Sequence, residues 1–398
     1  MLQSWDFQLS TQIQFGRGAL RKLGDLVAML GPSVLLVGYR DRAGLEEAYE
    51  RAGKSLVKAG VRTTTFFEVA PEPEVPIALR GAEVARQAGA EVIVAVGGGS
   101  VIDAAKGIAA LARGRLSSAE LFDASPDPQP VRNALPVVAI PTTAGTGSEV
   151  SDIAVFSAPS SPDAPGDVLK IAIFGPALRP SLAVIDPDLT LELPGPLTAA
   201  GAADALGHAI EASMSRRANP LASLAAGRAV ALIAENLPRA LQQPHDPAPR
   251  EALALAAMLA GIAFASAGVV VGHALAQAMG GVLHVSHGAA VALATPVSLR
   301  YNAACCGEIY AQLARHCGLP ADPPNTLPAR WIDFIAGLLR DAGLPDRVPM
   351  GPETATQGEE LVARLVGNVR RSAWVPVLLN PRKTDEAALA DLFRQVVD

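Results

Sequence analysis

A parallel-sheet α/β half followed by an all-helical half is the fold that this 398-residue sequence predicts. Three observations lead there. Up to about residue 190, short apolar runs alternate with amphipathic helical stretches, which is the pattern of successive βαβ units. Beyond DPDLTLELPGPLT the strand-like runs stop, and long Ala- and Leu-rich helical patterns continue almost to the C-terminus. A triple glycine follows directly on one apolar run and opens a helical pattern, as in Rossmann-like sheets. We place the boundary between residues 192 and 193, which gives domains 1–192 and 193–398, each large enough for its own core.

The elements follow in order. Residues 5–16 (WDFQLSTQIQFG) alternate and read as an opening hairpin or an edge strand. VLLVG (34–38), TTTFFEV (63–69), EVIVAV (91–96) and PVVAI (136–140) read as strands, and 43–59, 76–88 and 101–113 as the helices between them. Proline-rich breaks at 125–136, 159–165, 243–249 and 318–328 read as surface loops. From Ala252 to Gly272 no residue is charged, a length that could cross a bilayer. Its Ala, Gly and Ser content and the polar His273 and Gln277 that follow favour a buried helix over a membrane span. No repeat or low-complexity tract interrupts the chain.

The net charge of −6 leaves no electrostatic footprint for nucleic acid and argues against a basic membrane-surface protein. Cys305, Cys306 and Cys317 crowd one short stretch and form no disulfide framework, so a reducing cytoplasm is expected. The N-terminal MLQSWDFQLSTQIQFGRG has no basic region followed by an apolar one, so no signal peptide is expected.

Two loops carry ligand-binding chemistry. In EVIVAVGGGSVIDAAKGIAAL, Gly97, Gly98 and Gly99 let the backbone approach a phosphate, and the following helix presents free N–H groups and a positive dipole end. Ser100 adds a hydroxyl. This is not the GxGxxG spacing, and a turn that serves packing alone fits the same letters. PTTAGTGSEVSD follows another strand and offers the Thr142, Thr143, Thr146 and Ser148 hydroxyls. Two such loops at strand C-terminal ends suggest a dinucleotide, with its pyrophosphate on one and a ribose on the other.

All six histidines lie in the second half, among them His208, His273, His284 and His287. Asp204 and His208 are spaced i, i+4 and share a helix face. One carboxylate with several imidazoles is a ligand set for a divalent transition metal such as zinc or iron. A helix-surface Asp–His pair with unrelated buried histidines is the competing reading.

FGRGAL, AVGGGSVIDAAKGIA, IPTTAGTGSEV, IDPDLTLELP, GAADALGHAIEA and GHALAQAMGGVLHVSHGAAVALATPVSLRYN occur in this order over most of positions 10–302. As a set they resemble the iron-containing (group III) metal-dependent alcohol dehydrogenases. The remainder matches weakly apart from NPR at Asn380–Arg382. The resemblance implies a dehydroquinate synthase-like architecture: an N-terminal dinucleotide-binding domain, a helical C-terminal domain and an active site in the cleft between them. It implies Fe²⁺ or Zn²⁺ on Asp204, His208, His273 and His287, and hydride transfer between NAD(P)(H) and a small alcohol or aldehyde. Gly97, Gly98, Gly99 and Ser100 match the family's pyrophosphate loop, and Asp103 and Lys106 its continuation. Thr142, Thr143 and Thr146 match residues lining the ribose and adenine side, and Lys170 a lysine near the cofactor. His284 matches no ligand, and His245 and His316 carry no assignment. A homodimer or higher homo-oligomer built through the N-terminal strand is also implied.

Three positions depart from the family pattern. Gln277 stands where many members carry a proton-relaying histidine, and a glutamine is neither acid nor base near neutral pH. Tyr39, followed by Arg40 and Arg42, replaces an aspartate that accepts from the ribose 2′-hydroxyl, which favours NADP slightly over NAD. Glu72 stands where many members have asparagine, at the nicotinamide edge. Rival readings are a maleylacetate reductase-like enzyme on an acidic carbonyl compound, a dehydroquinate synthase-like lyase, and a dinucleotide- or metal-binding protein without turnover.

Overall fold

Central parallel strands must be apolar on both faces, and the three most continuous apolar runs take the middle of the sheet. In the computed structural model, which describes residues 4–42, 44–114, 116–123, 128–160, 166–320, 323, 326–348 and 358–397, the first half builds a six-stranded parallel sheet. Its strands are β1 (Gln12–Phe15), β2 (Ser33–Tyr39), β3 (Arg62–Val69), β4 (Val92–Gly97), β5 (Val137–Pro141) and, after an antiparallel hairpin of β6 (Ile153–Pro159) and β7 (Val168–Phe174), β8 (Leu182–Ile185). The spatial order is β1-β8-β5-β4-β2-β3. Helices α1 (Leu23–Ala28), α2 (Glu46–Lys58), α3 (Val75–Gln87), α4 (Gly99–Arg113) and α5 (Ser118–Leu121) lie between the strands.

The expected strands 34–38, 63–69, 91–96 and 136–140 are β2 to β5. The opening segment is the edge strand, and its hairpin alternative is corrected: β1 pairs in parallel with β8, Gln12 opposite Leu182. The β6–β7 hairpin was not foreseen. Of the proline-rich breaks, residues 124–127, 161–165, 321, 322, 324 and 325 lie outside the described residues.

The described residues of the second half form helices joined by loops, with no strand among them: α6 (Gly195–Met214), α7 (Pro220–Gln242), α8 (Pro247–Ala267), α9 (Val271–Leu283), α10 (His287–His316), α11 (Leu327–Asp341), α12 (Gly358–Ser372), α13 (Trp374–Leu379) and α14 (Glu386–Val397). The uncharged stretch 252–272 is not one helix. Gly268, at φ 75°, ends α8, and α9 starts three residues later. Long and apolar enough to cross a membrane by composition, α8 instead buries Leu253, Ala256, Ala260 and Ala263 in a core shared with α6 and α7.

The halves meet where the loop after β5 lies on the helices. A Cβ on Gly145 would sit 2.7 Å from the Gly201 Cα of α6, and one on Gly261 of α8 would sit 2.7 Å from the Gly147 Cα. Only glycine permits this backbone-on-backbone approach. The same loop is tied from below to α4. Fully buried Lys106 donates to Ser148 Oγ (2.9 Å), Ser151 O (3.0 Å) and Ile153 O (2.7 Å). Asp103 accepts from Ser148 Oγ (2.5 Å) and from the Val155 N–H (2.9 Å).

Removing the ammonium leaves Asp103 and these acceptors without their cation. Lys106→Met should therefore destabilise the protein by about 3–5 kcal/mol in urea unfolding. Burial pushes the Lys106 pKa from its ordinary 10.5 down to about 8. Between those values the unfolded chain holds a proton that native Lys106 has released. This group's contribution to stability therefore rises with pH across that window. The stability gap between wild type and Lys106→Met should widen in that direction from about pH 7 to about pH 10; a gap independent of pH would show that this lysine titrates normally.

Candidate active site

Buried helix α6 has an apolar surface nearly all round, and only a few polar side chains interrupt it. Asp204, His208 and Glu211 do so at i, i+4 and i+7, a spacing that puts them on one face. That face meets the first turn of α9, which carries His273, and the first residue of α10, His287. Asp204, His208 and His273 are buried, whereas the His287 side chain is 43% exposed.

The imidazoles converge on one atom. Asp204 Oδ1 lies 3.6 Å from His208 Nε2, 3.5 Å from His273 Nε2 and 3.2 Å from His287 Nε2. Nevertheless, Asp204 Oδ1 and His273 Nε2 are both buried without a hydrogen-bond partner. Donor atoms about 2.0–2.2 Å from a tetrahedral divalent ion stand about 3.3–3.6 Å apart, so this donor set fits such an ion. Candidate ligand atoms of Asp204, His208 and His273 all lie within 4.8 Å of one another. His208 stacks on Phe264 at 4.3 Å and on His273 at 4.5 Å between centroids, which fixes its ring plane.

The electrostatics suit a cation. Burial opposes ionisation of Asp204, yet the surrounding imidazoles hold its carboxyl well below the usual range. Burial pushes His208 down to about 3, so it is a neutral donor at pH 7. Burial also opposes charge on His273, but Glu211 and Asp204 outweigh it and push that pKa up to about 10. Glu211 was missed in the sequence reading. Its Oε1 lies 2.8 Å from His273 Nδ1, and its place one turn beyond His208 on the same stripe was the available signal.

The glycine loop joins β4 to α4, with Gly98 as the N-cap of the helix. A Cβ on Gly98 would approach Thr143 Oγ1 to 3.1 Å, and one on Gly99 would meet Thr146 Cγ2 at 2.5 Å, so the two predicted loops lie on each other. Thr142 is buried beside them, and its N–H donates to Gly97 O (3.0 Å). The Tyr39 phenol bonds the Gly98 backbone and the Ser100 hydroxyl, and burial raises its pKa. Ser100 Oγ also accepts from the Glu72 N–H at 3.2 Å. Glu72 holds a left-handed φ of 56° and places Oε2 3.0 Å from Lys170 Nζ, which donates to Ser157 Oγ at 2.9 Å. Arg40 is exposed, and Arg42 lies 5.4 Å over the Phe67 ring. Asp103 and Lys106 lie beneath the cradle, with their polar atoms committed to the contacts above.

Gln277 follows His273 by one turn of α9 and is partly exposed. His284 is the exposed, left-handed C-cap of α9. His245 is exposed, 3.8 Å from Glu192, and His316 packs against Gly227 at the end of α10. None of these three histidines joins the cluster. The cluster and the cradle are linked by the loop after β5: Thr146 lies on the cradle, and Gly145 on Gly201, one turn before Asp204.

Residues 10–187 match the iron-containing alcohol dehydrogenase family, and residues 198–395 match that family's C-terminal part. The chain is 35% identical to 1,3-propanediol dehydrogenase of Citrobacter freundii, over 96% of each chain. It is 32% identical to NAD-dependent methanol dehydrogenase of Bacillus methanolicus, over 83% of this chain and 85% of that one. Its fold superposes on a halo-thermophilic archaeal alcohol dehydrogenase from a Red Sea brine pool with a TM-score of 0.89, 28% identity and complete coverage of both chains. Sequence and fold thus agree along both halves, and the chain belongs to the iron-containing alcohol dehydrogenase family of oxidoreductases acting on alcohols.

Proposed function

We propose that this enzyme interconverts small aliphatic alcohols and aldehydes with a divalent iron or zinc ion on Asp204, His208, His273 and His287. The observation that carries this reading is the buried, unpartnered Asp204 Oδ1 with imidazole nitrogens of His208, His273 and His287 within 3.6 Å of it. Relatives named for 1,3-propanediol and methanol support a small-alcohol substrate. We assign residues 1–192 to the cofactor and 193–398 to metal and substrate. A homo-oligomer in the cytoplasm completes the reading, and the free cysteines support a reducing setting.

A bound divalent ion supplies Lewis acidity to a substrate oxygen, and a nicotinamide supplies the hydride chemistry. The protein's part is geometry and field. Asp204 contributes the negative charge and His208 a neutral nitrogen. The α4 N-terminus, with Gly97, Gly98, Gly99 and Ser100, receives the pyrophosphate. Thr142, Thr143 and Thr146 line the ribose side, and Asp103 acts there through Ser148. Lys170, held by Glu72 and Ser157 on the β6–β7 hairpin, would lie near the cofactor. Gln277 can orient a polar group one turn beyond His273 but holds no titratable proton, which leaves proton transfer to water or the cofactor ribose hydroxyls. With no acid at Tyr39 and Arg40 exposed beside it, NADP is slightly favoured over NAD.

Oxidation of NADPH and NADH by short aliphatic aldehydes tests the reading on protein loaded with Fe²⁺ or Zn²⁺ and on chelated protein. Turnover should require metal, and Asp204→Asn should cost about 10³-fold in kcat/KM, the worth of several kcal/mol of lost charge stabilisation. Turnover that survives complete metal removal would sink the proposal. In the same assay, Tyr39→Asp should move the NADH-to-NADPH preference about tenfold towards NADH, the worth of one charge-assisted hydrogen bond. An unchanged ratio would remove Tyr39 from cofactor selection.

A further inference from the structure

Glu211 is 2% exposed, and both of its oxygens are engaged. Oε2 accepts from the Val270 N–H at 2.6 Å and the His273 N–H at 3.3 Å. Oε1 lies 2.8 Å from His273 Nδ1. Val270 is the N-cap of α9, and its own side chain offers no oxygen to cap the helix. The carboxylate therefore arrives from α6 to satisfy the first free N–H groups of another helix, where a negative charge also suits the helix dipole. Gly272 leaves room for it, since a Cβ there would stand 2.5 Å from Oε1.

An ionised carboxylate only accepts hydrogen bonds, so His273 Nδ1 carries the proton and donates it. Nε2, the atom 3.5 Å from Asp204 Oδ1 and without a partner of its own, is then the nitrogen left for a metal, which would displace any proton held there. Charge points the same way. Asp204 and Glu211 bring two buried negative charges to a group of imidazoles, and a divalent ion balances them. A lone Asp204 would leave the buried assembly net positive.

We propose that Glu211 is the positioning residue of the metal centre: it starts α9 and, by the same carboxylate, fixes His273 as an Nε2 donor. The proposal rests on the metal-dependent reading above. Glu211→Gln offers one accepting oxygen in place of two and removes the charge.

The test is Zn²⁺ affinity of the apoprotein by competition with a chromophoric chelator, with the Co²⁺ absorption spectrum as a report on coordination. Glu211→Gln should weaken Zn²⁺ about 10–100-fold, the usual effect of losing a carboxylate behind a ligating histidine. It should alter the Co²⁺ bands and leave the dissociation constant for the nicotinamide cofactor unchanged. His273→Gln should weaken Zn²⁺ at least as much, and the double variant no further than His273→Gln alone, because Glu211 acts through that ring. Wild-type affinity in Glu211→Gln would overturn the proposal, as would losses that multiply in the double variant. If Glu211→Gln does not fold, Glu211→Asp keeps the charge but shortens the reach to Nδ1. It should weaken Zn²⁺ too, and wild-type affinity there overturns the proposal equally. A wild-type protein that binds neither ion would instead remove the metal reading on which the proposal stands.

Discussion

A buried carboxylate oxygen that receives no hydrogen bond costs several kcal/mol unless a cation stands beside it. Asp204 Oδ1 is such an atom, and three helices of the second half meet around it. Helix α6 supplies the carboxylate and one imidazole, α9 starts where His273 can reach it, and α10 starts at His287. Three helices from distant parts of the chain are thus aimed at one point. The Ala-rich core of α6, α7 and α8 also takes in part of α10, while α9 packs with α10 and α12 in a second core. With Asp204 Oδ1 and His273 Nε2 buried and without hydrogen-bond partners, the cluster is well suited to hold a divalent ion.

The sheet half solves a different problem. Its glycine loop is braced from beneath. Lys106 and Asp103 bind the loop after β5 to α4 through buried ionic hydrogen bonds, and Tyr39 and Glu72 close on Ser100 from the other side. Glu72 holds its left-handed backbone because Lys170 and the Ser100 hydroxyl fix it at both ends. A sparsely populated backbone conformation costs about 1–3 kcal/mol and persists where its surroundings over-determine it.

Much of this was legible in the sequence, for physical reasons. Strands such as VLLVG and EVIVAV are apolar on both faces and need no partner to be recognised. The GGGS turn and the i, i+4 spacing of Asp204 and His208 are local patterns. What escaped depended on distant pairing. The β1–β8 pairing joins segments about 170 residues apart, and only the fold says which edge takes the first strand. The β6–β7 hairpin mixes Lys170 and Ser157 into an apolar pattern because those side chains bond each other across the hairpin, with Glu72 beside Lys170. Glu211 looks like an ordinary helix acid until His273 is brought against it from 62 residues away.

The two glycine contacts set a length. Where Gly145 meets Gly201 and Gly147 meets Gly261, nothing separates the halves but the thickness of two polypeptide backbones. Only glycine fits at these contacts, so the distance from the glycine loop after β4 to the imidazoles is set there by backbone alone. Hydride transfer requires reacting atoms held within a few tenths of an ångström of the productive separation. A spacer with no side chain offers nothing to repack or swing. The pocket walls can vary in size and polarity to suit one alcohol or another while the ruler between the two ends of the site stays fixed.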